Sequence, residues 1–176
     1  MMKEAYRGLL TWPEKRYLAL GITMSWENNL AMQFGFWREA LESGQIERLK
    51  EHCGGGEVVG LFCWHCDMAA KTFSYHIACE NKRGARSGPY EELTLKPLTY
   101  ACFEGGCTAS SDAYAAYERL CGAFWGEWLP DSGFESLIEP ETFACEPGYA
   151  AIERFTPEIP LGEYRLEMMV PVRRKA

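Results

Sequence analysis

Apolar residues alternate with polar ones, or recur at helical spacing, in a series of elements that begins near residue 16. Residues 16–23 are predicted to form a strand, and a helix is predicted to begin at Asn29, which can cap it. The apolar stripe of this helix consists of Leu30, Phe34, Trp37 and Leu41. Gly44 is predicted to end the helix, and residues 58–65 and 72–81 are predicted to pair as a hairpin.

The second half of the chain repeats this order after a polar connector at residues 82–89. Its predicted elements are a strand over 94–104, a turn at Gly105 and Gly106, a helix that Pro130 ends, short strands over 134–138 and 149–155, and a closing strand over 163–172. Candidate caps of this second helix are Ser110, Ser111 and Asp112, and its stripe consists of Tyr117, Leu120, Phe124 and Trp128.

Two β-α-β-β series within 176 residues predict an α+β fold. The two halves cover about 1–82 and 90–176, and we expect them to form one domain over 1–176. Each helix has a single apolar stripe and therefore needs a sheet to cover. The expected architecture is one antiparallel sheet with two helices on one face and a groove between them.

Composition narrows the range of functions. Apolar residues make up 47% of the chain and aromatic residues 14%, which is more aromatic surface than a core requires, so we expect some rings to line a cavity. The net charge of -7 disfavours direct binding to nucleic acid, because such a surface must be basic. It favours cationic small molecules through long-range attraction. Neither a signal peptide nor a membrane-spanning apolar run is visible, so a cytoplasmic location with reduced cysteines is expected.

Glu153 is the strongest candidate functional residue. It lies in the predicted strand over 149–155, where alternation places it on the same face as Ala151 and Phe155. An unpaired carboxylate on a buried strand is costly, and such a residue is a candidate for binding or catalysis. The pattern also allows a purely structural role, in which Glu153 faces solvent or pairs with Arg154 or Arg165.

Aromatic residues on both halves are candidates for the walls of a binding site. Those selected are Trp37, Phe62, Trp64, Tyr75, Tyr100, Trp125 and Trp128. Alternation predicts that Phe62 and Trp64 share one strand face, with Tyr75 across the hairpin. Stacking and cation-π attraction around a carboxylate suit a flat cation. The alternative is that these rings only build the core, which is the preferred interpretation for Phe34 and Phe103.

No motif predicts a metal or a cofactor. Cys63, His65 and Cys66 lie on a predicted strand rather than on a zinc knuckle, and neither His52-Cys53 nor the spaced pair His76 and Cys79 supplies a second CxxC pair. The glycines at 54–56 precede a strand and lack the lysine of a phosphate-binding loop. We therefore expect no metal site, no cofactor and buried or free thiols.

Several fragments, in this order, carry a resemblance to a known family. They are YACFEGG at 100–106, WGEWLPDSGF at 125–134, YAAIERF at 149–155 and MVPV at 169–172, with weaker matches at 13–20, 36–37, 60–62 and 78–80. The chain resembles the GyrI-like small-molecule-binding domain of the SOUL and GyrI-like superfamily, which is the effector-binding domain of multidrug-responsive transcription regulators. The resemblance covers nearly the whole chain and leaves no room for a helix-turn-helix domain, which implies a stand-alone copy.

The resemblance implies that Glu153 lies at the base of a ligand pocket and faces cationic aromatic ligands. The family usually has Tyr where this chain has Phe155. The leading hypothesis is therefore binding or sequestration of hydrophobic cationic aromatic molecules, with neither a nucleic acid nor a membrane as partner. A first alternative is hydrolysis of cyclopropane-type natural products by Glu153 with Tyr75 or Tyr100, where Glu80 or Glu167 could replace Glu153. A second is a gyrase-inhibitor-like module that binds a protein partner.

Overall fold

The computed structural model describes residues 5–107, 113–139 and 145–176, except for the side chain of Cys63. Within these parts the elements are β1 (Tyr6–Trp12), β2 (Lys15–Ser25), α1 (Asn29–Glu42), α2 (Gln45–Cys53), β3 (Val58–Asp67), β4 (Thr72–Glu80), β5 (Glu91–Leu95), β6 (Leu98–Cys107), α3 (Ala113–Cys121), β7 (Phe134–Ser136), β8 (Ala151–Thr156) and β9 (Tyr164–Arg174). Helix α3 continues into a π-helical segment, Gly122–Trp128, and a last turn, Leu129–Asp131.

The strands form one antiparallel sheet, which confirms the predicted α+β class. Among the described residues the strand order is β1-β6-β9-β8-β3-β4-β2-β5, and β7 pairs with β9 outside this path. Tyr17 on β2 and Tyr100 on β6 belong to the same buried cluster. Burial raises the pKa of Tyr17, and Tyr100 is near enough to raise it further electrostatically. In a flat sheet they would stand about 24 Å apart, because neighbouring strands are about 4.8 Å apart. The sheet therefore curls around this second core.

The helices cover the other face of the sheet, where the larger core lies. Trp37 of α1, Leu49 of α2 and Phe124 of the π-helical segment are fully buried in this core. None of the helices in the described parts is long and apolar enough to cross a membrane. Helix α3 and its π-helical continuation lie opposite β8 and β9, and the candidate functional site lies between them.

Two strand predictions differ from the structure. Strand β1 was not predicted, because Gly8 breaks the alternation with a φ of 124° and because Leu9 and Leu10 are both exposed. The predicted strand over 94–104 is two strands, β5 and β6. Gly105 and Gly106 are not a turn, since they pair with Leu166 and Arg165 in the ladder between β6 and β9.

The helix predictions also need correction. The residue that precedes α1 is Asn28, and Asn29 instead donates a hydrogen bond to the carbonyl oxygen of Trp26. Leu41 is 39% exposed, and the buried residues of α1 are Gln33, Trp37 and Ala40. Pro130 lies inside the last helical turn rather than after it. The proposed caps at 110–112 lie outside the described residues.

Candidate functional site

A cavity of about 240 Å³ lies between α3 and the sheet. Its apolar lining includes Phe62, Trp125, Ile138, Ala151, Met168 and Val170. Two carboxylates, Glu153 and Glu118, also line it, and none of the described lining residues is basic. The cavity is therefore an aromatic and aliphatic space with uncompensated acidic groups, which is chemically suited to a hydrophobic cation.

Glu153 is held at the inner end of this cavity by its strand. Strand β8 runs between β3 and β9, so Glu153 is paired with Gly60 on one side and Met168 on the other. Only 3% of Glu153 is exposed. Glu153 therefore does not face solvent, and it pairs with neither Arg154 nor Arg165, because Arg154 pairs with Glu57 and Glu167 while Arg165 pairs with Glu104.

Three hydrogen-bond donors surround the Glu153 carboxylate. Oε2 accepts from Gln33 Nε2 at 2.7 Å and from the Tyr75 hydroxyl at 2.9 Å. Tyr117 is a further hydrogen-bond partner of Glu153, and its hydroxyl also accepts from Gln33 Nε2 at 2.9 Å. The indole N–H of Trp37 donates to the Tyr75 hydroxyl at 2.9 Å. This chain of donors fixes the orientation of the carboxylate.

Burial dominates the electrostatics of Glu153. Desolvation raises the pKa of its carboxyl to about 7, although hydrogen bonds from Tyr117, Tyr75 and Gln33 act in the opposite direction. Burial, followed by the charge of Glu153, also raises the pKa of both Tyr75 and Tyr117 well above the usual value. Both hydroxyls therefore remain protonated donors at neutral pH. A carboxyl that ionises near pH 7 can change its charge when a cation arrives.

Gly60 makes room for this arrangement. A Cβ atom at position 60 would overlap the Tyr75 hydroxyl and would lie 2.9 Å from Glu153 Oε2. Strand β3 must therefore present a bare backbone opposite Glu153, because the hydroxyl and the carboxylate occupy the place of a side chain.

The sequence-selected residues divide into three groups by position. Phe62, Trp125 and Glu153 line the cavity. Trp37 and Tyr75 lie directly behind it and reach the site through the hydrogen bonds to Glu153. Phe62 and Tyr75 are in edge contact, with ring centroids 6.2 Å apart, as the hairpin predicted.

The other three aromatic candidates do not line this cavity. Trp128 packs in the core between Phe124 and Phe134, with ring centroids 5.8 Å from each. Tyr100 belongs to the cluster on the opposite face of the sheet, where its ring meets Trp12. It cannot act together with Glu153, so the predicted pairing of these two residues in a hydrolase is wrong.

Trp64 also packs against the opposite face, and a β-bulge is the reason. The register between β3 and β4 shifts between Leu61 and Trp64, so that one additional residue is inserted in β3. Trp64 consequently joins the same cluster as Leu61, while Phe62 faces the cavity. The prediction that Phe62 and Trp64 share a face is wrong, because alternation does not continue through a bulge.

The two alternative carboxylates, Glu80 and Glu167, pair with basic residues elsewhere, and the thiol of Cys121 stays protonated. Glu80 pairs with Lys15, and Glu167 pairs with Arg154. Cys121 lines the cavity, and burial raises the pKa of its thiol to about 11. Within the described parts of the chain, no three His, Cys, Asp or Glu side chains are placed to hold a metal ion together.

Sequence reasoning missed the polar residues that complete the site. Gln33 was passed over because it lies outside the predicted apolar stripe of α1, yet it is fully buried and its side chain donates a hydrogen bond to Glu153. Tyr117 was assigned to the helix stripe, which was a usable signal, since a Tyr on a buried stripe needs a partner for its hydroxyl. Tyr114 and Glu118 gave no signal, because both are exposed.

Comparison with known proteins identifies the family. The profile described as Cass2, integron-associated effector binding protein, matches residues 9–172. The chain belongs to the Cass2 family. It is thus an effector-binding, small-molecule-binding domain with a GyrI-like fold, as its sequence fragments indicated. No curated protein sequence matches this Cass2-family protein significantly.

Solved structures share the fold of this Cass2-family protein at low sequence identity. The structure of SAV2435 bound to tetraphenylphosphonium is 17% identical with a TM-score of 0.70, over 96% of this chain and 93% of that chain. The C-terminal domain of EcmrR is 12% identical with a TM-score of 0.54, over 97% and 99% of the two chains. An integron cassette protein from the mobile metagenome of Vibrio cholerae is 9% identical with a TM-score of 0.54, over 96% and 98%.

Proposed function

We propose that this Cass2-family protein binds hydrophobic aromatic cations in the cavity under α3, with Glu153 as the counter-charge. The observation that carries the proposal is a buried carboxylate at the inner end of an apolar, aromatic cavity, without a basic residue among the described lining. SAV2435, which shares the fold, has been solved bound to such a cation, tetraphenylphosphonium, and that supports the proposal.

The physical basis is the balance of desolvation costs. A hydrophobic cation loses little hydration on entering the cavity and gains contact with Phe62 and Trp125. Its charge compensates Glu153, which already lies in a low-dielectric place and gains a partner. A cavity of about 240 Å³ is near the lower end of small-molecule sites, so a triaryl cation inserts part of its bulk and leaves the rest at the mouth.

The experiment that tests this function compares two ligands of similar shape. Methyltriphenylphosphonium is a cation, and triphenylphosphine oxide is neutral. Because Trp125 lines the cavity, we expect the cation to change tryptophan fluorescence at concentrations at least about tenfold lower than the oxide, the factor that about 1.4 kcal/mol of charge interaction provides. Trp125→Phe should remove most of the optical change. Equal affinity for the two ligands would contradict the proposal.

The pKa of Glu153 leads to a prediction about pH. The free carboxyl has a pKa of about 7, whereas the complex with a cation requires the ionised form. Binding therefore releases a proton below pH 7, and affinity should rise about tenfold per pH unit from pH 5 to pH 7 and level off above it. Tyr75, Tyr117 and Cys121 have raised pKa values and do not titrate in this range. A flat profile between pH 5 and pH 8 would contradict the assigned role.

Catalysis in the same cavity is a second candidate, and one observation favours it. A carboxyl with a pKa of about 7 is suited to act as a general base near neutral pH. Glu153 would take a proton from water as the water oxygen bonds to a carbon of a strained, cyclopropane-type electrophile. The ring carbon–carbon bond breaks, its electron pair takes a proton from the Tyr117 hydroxyl that lines the cavity, and Glu153 returns its proton to Tyr117. Formation of a ring-opened water adduct that Glu153→Gln abolishes would establish this activity, and stoichiometric binding without product would exclude it.

The protein-interaction alternative requires an acidic surface for a partner protein rather than a cavity for a small molecule. An inhibitor that acts through an acidic surface has no need of an open cavity, whereas the described part of this chain contains one. The cavity thus supports small-molecule binding as the first hypothesis to test.

A further inference from the structure

We propose that the mouth of the cavity is a second cation subsite, formed by Tyr114 and Glu118, and that the preferred ligands carry two positive groups separated by an apolar linker. This inference rests on the proposed function of the inner site at Glu153. It names the ligand class more narrowly, as dications such as aminoalkyl phosphonium ions rather than monocations in general.

The first observation is the pairing of Tyr114 and Glu118 on α3. They are four residues apart, so their side chains are neighbours on one face of the helix, and both line the cavity. A Tyr ring beside a carboxylate offers a cation both a π face and a counter-charge. The inner site has the same two kinds of group, a carboxylate and aromatic rings, since Phe62 and Trp125 line the cavity together with Glu153.

The second observation is that, among the described residues, neither side chain has a packing or ion-pair partner. Tyr114 is 65% exposed, the highest value among the exposed large hydrophobic side chains of the described residues. Within those residues its ring meets no other ring, and Glu118 forms no ion pair. Because Tyr114 also lines the apolar cavity, the exposed face of its ring is accessible to a bound ligand.

The third observation places the two carboxylates on one ligand path. Cys121 lies one helical turn after Glu118 and also lines the cavity. After burial, the causes that raise the pKa of its thiol are the charges of Glu153 and of Glu118. Cys121 thus lies within electrostatic range of both groups. A ligand that passes Cys121 can reach Glu153 with one end and Glu118 with the other.

Charge balance then selects the ligand. When a monocation binds at Glu153, the exposed Glu118 carboxylate still has no positive group beside it, because no described lining residue is basic. A second positive group on the same molecule reaches Glu118 as an intramolecular event, at the effective concentration that the linker sets. Since Glu118 is exposed, this gain is screened by salt and should shrink at high ionic strength.

The test uses ligands that differ only at the outer end. (4-Aminobutyl)triphenylphosphonium ends in an ammonium group, and pentyltriphenylphosphonium has a methyl group at the same place. We expect the amine to bind about tenfold more tightly at low salt, as the sum of an exposed ion pair and an exposed cation-π contact. The preference should depend on linker length and should fall severalfold in 0.5 M salt.

Variants separate this subsite from the inner one. Glu118→Gln and Tyr114→Ala should each lower the preference to about threefold, because each leaves the other contact in place, and the double variant should make the two ligands bind equally. Glu127→Gln removes an equal charge from an exposed position of the π-helical segment that continues α3, and it should keep the preference. Equal binding of both ligands to the unaltered protein at every linker length would overturn the subsite and leave the inner site intact. Failure of both ligands to bind would overturn the proposed function and the subsite together.

Discussion

Glu153→Gln is expected to lower the affinity for methyltriphenylphosphonium by about 100-fold and to change the affinity for triphenylphosphine oxide by less than about threefold. The reason is that the negative charge of Glu153 is buried. Glu153 is 3% exposed, so a cation beside it interacts across a low-dielectric space, and losing such a partner costs about 3 kcal/mol. Calorimetric titration at pH 8, where the Glu153 carboxyl of the free protein is ionised, measures this difference directly.

Two controls belong with this variant. Glu127→Gln removes the same formal charge from an exposed position and should leave both affinities unchanged. The Gln side chain at position 153 can still accept the hydrogen bond from Tyr75, so the site should keep its shape. An equal loss of affinity for the cation and for the oxide would mean that Glu153 shapes the cavity rather than compensates a charge.

Gly60→Ala is expected to destabilise the protein by about 2–3 kcal/mol and to abolish cation binding. The added Cβ would overlap the Tyr75 hydroxyl, and Tyr75 cannot move aside because it is fully buried and held by Trp37 and Glu153. Urea unfolding followed by circular dichroism measures the change. The same substitution at Gly35, in α1 with open space around it, should stabilise the protein by up to about 1 kcal/mol. Unchanged stability of Gly60→Ala would contradict the packing described at Glu153.

Local pattern singled out Glu153 as a candidate, and the family resemblance favoured a place in a ligand pocket over a purely structural role. Glu153 could be predicted because a single acid interrupts an apolar strand, and the alternation of that strand fixes the face on which it lies. Phe62 and Trp125 could be predicted as wall residues because each is a large aromatic side chain on an element next to that strand. Short-range periodicity and the cost of burying a charge supplied these candidates, and the resemblance implied that they belong to one pocket.

The misplaced residues depended on features that periodicity does not encode. Trp64 lies on the opposite face because of the β-bulge after Leu61. No residue type in that segment indicates that β3 contains an additional residue there. Tyr100 lies on the inner face of a curled sheet, and a flat two-layer expectation does not provide for a second core. Each error concerned which face a side chain occupies, not which element it belongs to.

The missed residues depended on a contact between distant parts of the chain. Gln33 and Glu153 are 120 positions apart and form a hydrogen bond, and α1 is oriented so that Gln33 is buried and Leu41 is exposed. The sequence of α1 alone favours the stripe that contains Leu41, because that stripe is more apolar. A buried polar residue of this kind becomes visible only when its partner is known.

The most direct test of the account is the position of a heavy-atom cation in a crystal of the protein. Tetraphenylarsonium has the shape and charge of a hydrophobic cation, and its arsenic atom gives an anomalous signal that locates it without reference to the rest of the ligand. The account predicts one strong arsenic peak at the cavity under α3, with an aromatic group of the ligand between Phe62 and Trp125 and with the cationic centre facing Glu153. An arsenic peak elsewhere on the protein, with the cavity unchanged at saturating ligand, would contradict it.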